Sequence, residues 1–162
     1  MKTLNLSILI VISFLLLFCQ CKTNRLAKED TFFLEYDSPT EKITIQNNTF
    51  SHRHIQNYFA PQSVSSIPDS SSTIVLHEKT KIPKREMIVL KEMIENNNFY
   101  QLKDAYGANL SERHYPYELK ISIDQKSKTV IIRSNPHYED IPKAFSLIEN
   151  KILDLSDQLR KE

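Results

Sequence analysis

The sequence predicts an α+β fold, with an antiparallel sheet of about four to six strands and two amphipathic helices packed on it. Three observations carry this. Short stretches place apolar residues at every second position, and two longer ones place them at helical spacing. Clusters of Asn, Asp, Ser and Pro separate the stretches. The order, strands first and then a helix, two more strands and a last helix, suits a sheet covered by helices rather than alternating βαβ units.

Phe32, Leu34 and Tyr36 alternate with Phe33 and Glu35, and Asp37-Ser38-Pro39 ends that first strand. Lys42 to Gln46 places Ile43 and Ile45 on one face. Asn47-Asn48 then makes a hairpin turn, because Asn tolerates positive φ where glycine is absent. Phe50 to Tyr58 is a candidate third strand. Ala60 to Ser72 holds two prolines and six serines and reads as a loop, after which Thr73 to His77 resumes strand character. Pro83 stands where a first-turn proline belongs, and Met87, Leu90 and Ile94 follow at helical spacing. Asn96-Asn97-Asn98 ends that helix with residues that accept left-handed geometry, and Phe99 and Tyr100 return the chain to the core. Glu118 to Ile123 and Lys128 to Arg133 form a hairpin around Asp124-Gln125-Lys126-Ser127. Asp140 is placed to cap the final helix, with Pro142 in its first turn. Its apolar stripe runs through Ile141, Phe145, Ile148, Ile152, Leu155 and Leu159.

The amino terminus has a different character. Lys2 is followed by an apolar run, Ile8 to Phe18, broken only by Ser13; it has the length of a signal-peptide core and falls short of the roughly 20 residues that cross a bilayer. Cys19-Gln20-Cys21 closes the run, and the chain then turns polar. A cysteine at this place resembles the lipobox of bacterial lipoproteins, whose cysteine is acylated and becomes the new amino terminus. Cys21 is the better candidate and Cys19 the alternative, since Phe18 is bulky for a residue just before a cleavage site. An ordinary secretory leader would want an Ala-x-Ala-like site, which is absent, and an uncleaved anchor would want a longer run. The resemblance implies a signal peptide over residues 1–20; the polar stretch that follows makes 21–30 a tether, and the strand and helix patterns place one α+β domain over 31–162. The resemblance also implies attachment to the membrane of the cell envelope through acyl chains, by default at the outer membrane if the cell has two, since no Asp follows either cysteine.

Composition narrows the function classes. The 162 residues include 21 Lys plus Arg against 20 Asp plus Glu. Without the leader and its Lys2 the charges balance, which provides no field for collecting nucleic acid. A single glycine, Gly107, excludes Gly-rich phosphate loops, dinucleotide fingerprints and the nucleophile elbow. Both cysteines lie in the first 21 residues, so the domain holds no disulfide or thiolate metal site.

Few residues suggest chemistry. His52-x-His54 puts two imidazoles on one side of a strand, a spacing found in some metal sites and equally in polar exposed strands. A third ligand would have to come from distant His77, His114 or His137, so no metal site or cofactor is expected. Serine is abundant, but no Ser sits on a strained turn beside an oxyanion hole, and the chain is read as a non-enzyme. Glu112, Arg113, His114, Tyr115 and Tyr117 form a polar-aromatic loop that is a candidate partner-binding surface. In the alternative reading the tyrosines pack at the start of a strand and the charges are solvated.

One further motif links these elements. Phe99-Tyr100-Gln101-Leu102 runs into Tyr106-Gly107, Tyr117 to Ile123 alternates as Tyr-x-Leu-x-Ile-x-Ile, and an amphipathic helix closes the chain. With the opening hairpin, this layout resembles a family of small bacterial domains related to emfourin, a proteinaceous inhibitor of thermolysin-like metalloproteases. The family's first hairpin is often glycine-rich and this one is not, so the resemblance implies fold more than inhibition, and no inhibitory residue carries over. It makes Gly107 a residue serving a turn with positive φ. The expectation is a monomeric, non-catalytic binding module with a protein partner, with a structural envelope lipoprotein as the alternative.

Overall fold

Residues 31–61, 68–108, 116–133 and 139–161 are described by the structure, a computed structural model. The residues expected to form the leader and the tether, both cysteines among them, lie outside them. Within the described residues the chain forms β1 (Phe32–Asp37), β2 (Glu41–Gln46), β3 (Thr49–Tyr58), β4 (Ser70–Lys81), α1 (Lys84–Asn96), a 3-10 turn (Phe99–Gln101), β5 (Ala105–Gly107), β6 (Pro116–Ile123), β7 (Lys126–Arg133) and α2 (Lys143–Leu159).

The seven strands make one sheet in the order β4-β3-β2-β1-β6-β7-β5. It is larger than the four to six strands expected. The missed strand is β5, three residues long, too short to show alternation; it pairs parallel to β7 through Ala105↔Ile131 and Gly107↔Arg133. The other pairings are antiparallel. β1, first in the chain, lies between β2 and β6.

Alternation sets the core. Phe32, Leu34, Tyr36, Ile43, Ile45, Phe50, Leu119, Ile121, Val130 and Ile132 point from one face of the sheet into a single cluster with Met87, Leu90 and Ile94 of α1 and Phe145, Ile148, Ile152, Leu155 and Leu159 of α2. Both helices therefore cover the same face, as the two stripes predict. Glu35, Lys42, Thr44, Arg53 and Lys120 lie on the other face, exposed or half-buried. Two polar ties reinforce the layer. Tyr36 donates its hydroxyl to Glu149 on α2, and burial, then the Glu149 carboxylate, raises that phenol far above its ordinary range. Lys151 on α2 meets Glu86 on α1 at 2.6 Å.

Several boundaries differ from expectation. Pro83 and Pro142 stand at the N-cap positions, just before the first helical residue. No side chain caps α2, so Asp140 does not fill the predicted role. Ile141 precedes the helix and is exposed, outside the stripe it was assigned to. The turn between β6 and β7 contracts to Asp124-Gln125, with Asp124 at φ 53° accepting the left-handed geometry. β4 begins at Ser70, inside the segment expected to be loop, because serines continue the pairing with β3 as far as Tyr58↔Ser70. The Asn47 and Asn98 turns hold: both residues adopt positive φ, at 55° and 54°.

Candidate functional site

Two features stand out where β2, β3 and β4 meet α2. The first is a buried polar cluster. In β3, Phe50 and His52 share the core-facing side, and His52 is only 4% exposed. A neutral imidazole can enter a core when both nitrogens find partners, and here they do. Nε2 lies 2.7 Å from Oε2 of Glu41 and Nδ1 lies 2.6 Å from Oγ of Ser156. A carboxylate only accepts, so Nε2–H donates to Glu41 and Nδ1 accepts from the Ser156 hydroxyl. The second oxygen of Glu41 takes Nδ1–H of His54 at 2.8 Å. Burial lowers the pKa of His52 from its ordinary value, the Glu41 carboxylate opposing this in part, which keeps the ring neutral.

His77 on β4 lies opposite His52 in the sheet and is also buried. Its Nε2–H donates to the Ser156 carbonyl at 2.8 Å, near the end of α2. Ser156 thus holds one imidazole by its side chain and a second by its backbone. The Phe50 ring meets both imidazoles in T-shaped contacts, with centroids 6.2 and 5.5 Å away.

The order Glu41–His52–Ser156 is that of an acid–imidazole–hydroxyl relay. Ser156, however, is 1% exposed and sits on the inner face of a helix, so in this arrangement the hydroxyl meets the imidazole and the core. What the cluster does is fasten α2 to strands β2, β3 and β4. Among the described residues no group of three or more His, Cys, Asp or Glu side chains is placed to hold a metal ion. His52 and His54 do reach the same side of the strand, as their spacing predicts, and both spend that position on Glu41.

The second feature is β4, the outermost strand of the sheet among the described residues. β2 stops at the Glu41↔His54 pair, and beyond it β3 and β4 continue as a two-stranded ribbon from Ile55↔Thr73 to Tyr58↔Ser70. Tyr58, Phe59, Ile74 and Val75 are exposed on and beside this ribbon, each by 44–52%. Edge strands are normally blunted by charge, proline or bulges. β4 has such devices only in its second half: Glu78, Lys79 and Lys81 are there, Lys79 adopts φ 52°, and the register with β3 shifts near His52. From Ser70 to Leu76 the strand carries no charge and no proline.

Of the residues predicted to meet a partner, Glu112, Arg113, His114 and Tyr115 lie outside the described residues, as do Cys19, Cys21 and His137. Tyr117 is described. It sits in β6 opposite Ile132 and packs against the core, as the alternative reading had it. Sequence reasoning missed Glu41 and Ser156 altogether. The pair of histidines was the available signal, but a serine 104 residues away leaves no local pattern.

Comparison of the chain with protein-family models, with curated proteins and with solved structures finds no match.

Proposed function

We propose that this chain is a lipid-anchored bacterial envelope protein, held at the outer membrane through acylated Cys21 (or Cys19), that acts by binding another protein and not by catalysis. The observation that carries the binding role is the uncharged outer edge of β4 from Ser70 to Leu76, with Ile74, Val75, Tyr58 and Phe59 exposed about it. Unpaired backbone groups along such an edge can pair with an extended segment of a partner, and the apolar side chains on either face supply contact area. An uncharged edge favours an uncharged, extended segment, because a charged partner side chain would find no counter-charge from Ser70 to Leu76. Emfourin-like inhibition of a protease is the sharper form of this reading, drawn from the resemblance of layout in the sequence.

The test is photo-crosslinking from position 73 of the acylated protein in its own membrane, beside a panel of thermolysin-like proteases. A single crosslinked protein, lost in the I74K/V75K variant, supports the reading. No crosslinked protein and no inhibited protease would overturn it. Intact mass of the mature amino terminus decides between Cys21, Cys19 and no acylation.

A further inference from the structure

The turn between β2 and β3 and the start of α1 enclose an open groove of about 520 Å³. Its floor is apolar: Phe32, Ile82 and Met87, all largely buried. Three lysines, Lys81, Lys84 and Lys91, line it, and among its described lining residues there is no carboxylate. The floor is fixed by backbone bonds. Asn47 donates its N–H to the Phe32 carbonyl at 2.7 Å, and Ile82 donates to the Asn48 carbonyl at 2.8 Å. The Lys91 ammonium stands 5.9 Å from the centre of the Phe32 ring, which ties one of the cations to the floor.

We propose that this groove binds the phosphate of an anionic phospholipid headgroup in the membrane that carries the protein. The inference rests on the lipid-anchor reading above. Charge and shape define the ligand's chemistry: the ammonium groups of Lys81 and Lys84 call for an anion, and an apolar floor calls for hydrocarbon attached to it. Location selects the source. Phe32 forms part of the groove and is eleven residues from Cys21. A fully extended tether of that length spans at most about 40 Å. A tether of that reach lets the groove meet the bilayer surface, where anionic headgroups attract lysines at short range. Binding there would fix the orientation of the sheet over the membrane, leaving the acyl chains to set only its distance.

The test uses the full mature chain as isolated, in non-ionic detergent. It is titrated calorimetrically with dihexanoyl phosphatidylglycerol, dihexanoyl phosphatidylcholine and inorganic phosphate. The anionic lipid is expected to bind at least about 10-fold more tightly than the other two. K81Q/K84Q should weaken it about 30-fold. K42Q/K120Q, which removes the same charge from the opposite face of the sheet, should leave it unchanged. Equal affinity for phosphatidylcholine, or no effect of K81Q/K84Q, overturns the proposal. Phosphate binding as tightly as the lipid reassigns the groove to a free anion and overturns it too. So does binding that emerges only in E29Q/D30N, which would make the tether's own carboxylates the occupant. Intact mass of the same sample separates this result from the anchor reading. An acylated chain that ignores phosphatidylglycerol sinks the groove alone, whereas an unacylated chain that binds it through Lys81 and Lys84 sinks the anchor alone.

Discussion

The hydroxyl of Ser156 lies 2.6 Å from Nδ1 of His52, and this bond closes the structure across 104 residues of chain. It joins the middle of a strand to the last turns of the final helix, and neither partner has water as an alternative. The free energy at stake is thus that of a buried donor–acceptor pair, in which losing one member costs more than the bond itself contributes.

Ser156→Ala removes the donor and leaves a buried ring nitrogen unsatisfied. Stability should fall by about 1–3 kcal/mol. Urea unfolding of the variant should show a lower midpoint with an unchanged m-value, since the same surface is exposed on unfolding.

The same imidazole makes the protein acid-sensitive. Burial lowers the His52 pKa in the folded state, while in the unfolded chain it returns to about 6.5. Below that pH the unfolded state binds a proton that the folded state refuses. The stabilisation is therefore whole above pH 6.5 and is lost as pH falls below it, with a slope of at most about 1.4 kcal/mol per pH unit from this group. Thermal unfolding between pH 7.5 and 5 should show the decline, and His52→Gln should flatten it.

Much of this arrangement was legible in the chain and some was not, for physical reasons. Alternation in Phe32-Phe33-Leu34 and the stripe Phe145, Ile148, Ile152, Leu155, Leu159 are local patterns, and both map onto the buried face. Ser70 to Ser72 are different. Serine has no strand signature, and only the neighbouring β3 gives these residues a partner. β5 is likewise created by its neighbour β7. The Glu41–His52–Ser156 contacts depend on the packing of α2 onto the sheet, a relation that no spacing within a strand encodes.

Gly107 is the one glycine of the chain, and its backbone explains the residue. It has φ +88°, and a Cβ there would lie 2.0 Å from the carbonyl oxygen of Arg133. Gly107→Ala must therefore shift backbone rather than a flexible side chain. A loss of about 1–3 kcal/mol is expected, read by chemical denaturation, with faster amide exchange along β5 and the end of β7.

Ile148 is fully buried at the centre of the α2 stripe. Ile148→Ala leaves a cavity between helix and sheet and should cost about 2–5 kcal/mol. Val75→Lys, on the exposed edge strand β4, should change stability by less than about 0.5 kcal/mol. The contrast, measured by calorimetry on both variants, separates the folded core from the surface assigned to a partner.

β1 is the strand through which the domain continues from residue 31, and it is also flanked on both sides, by β2 and by β6. A load arriving through the amino-terminal segment acts along this strand. To draw it out, the load must shear two ladders of hydrogen bonds at once, over Phe33–Asp37 on one side and Phe32–Asp37 on the other. A strand at the rim would have only one such ladder to shear. Mechanically, then, a pull on the segment before residue 31 reaches a strand held along both sides, and β1 cannot leave without breaking the continuity between the β4-β3-β2 and β6-β7-β5 parts of the sheet.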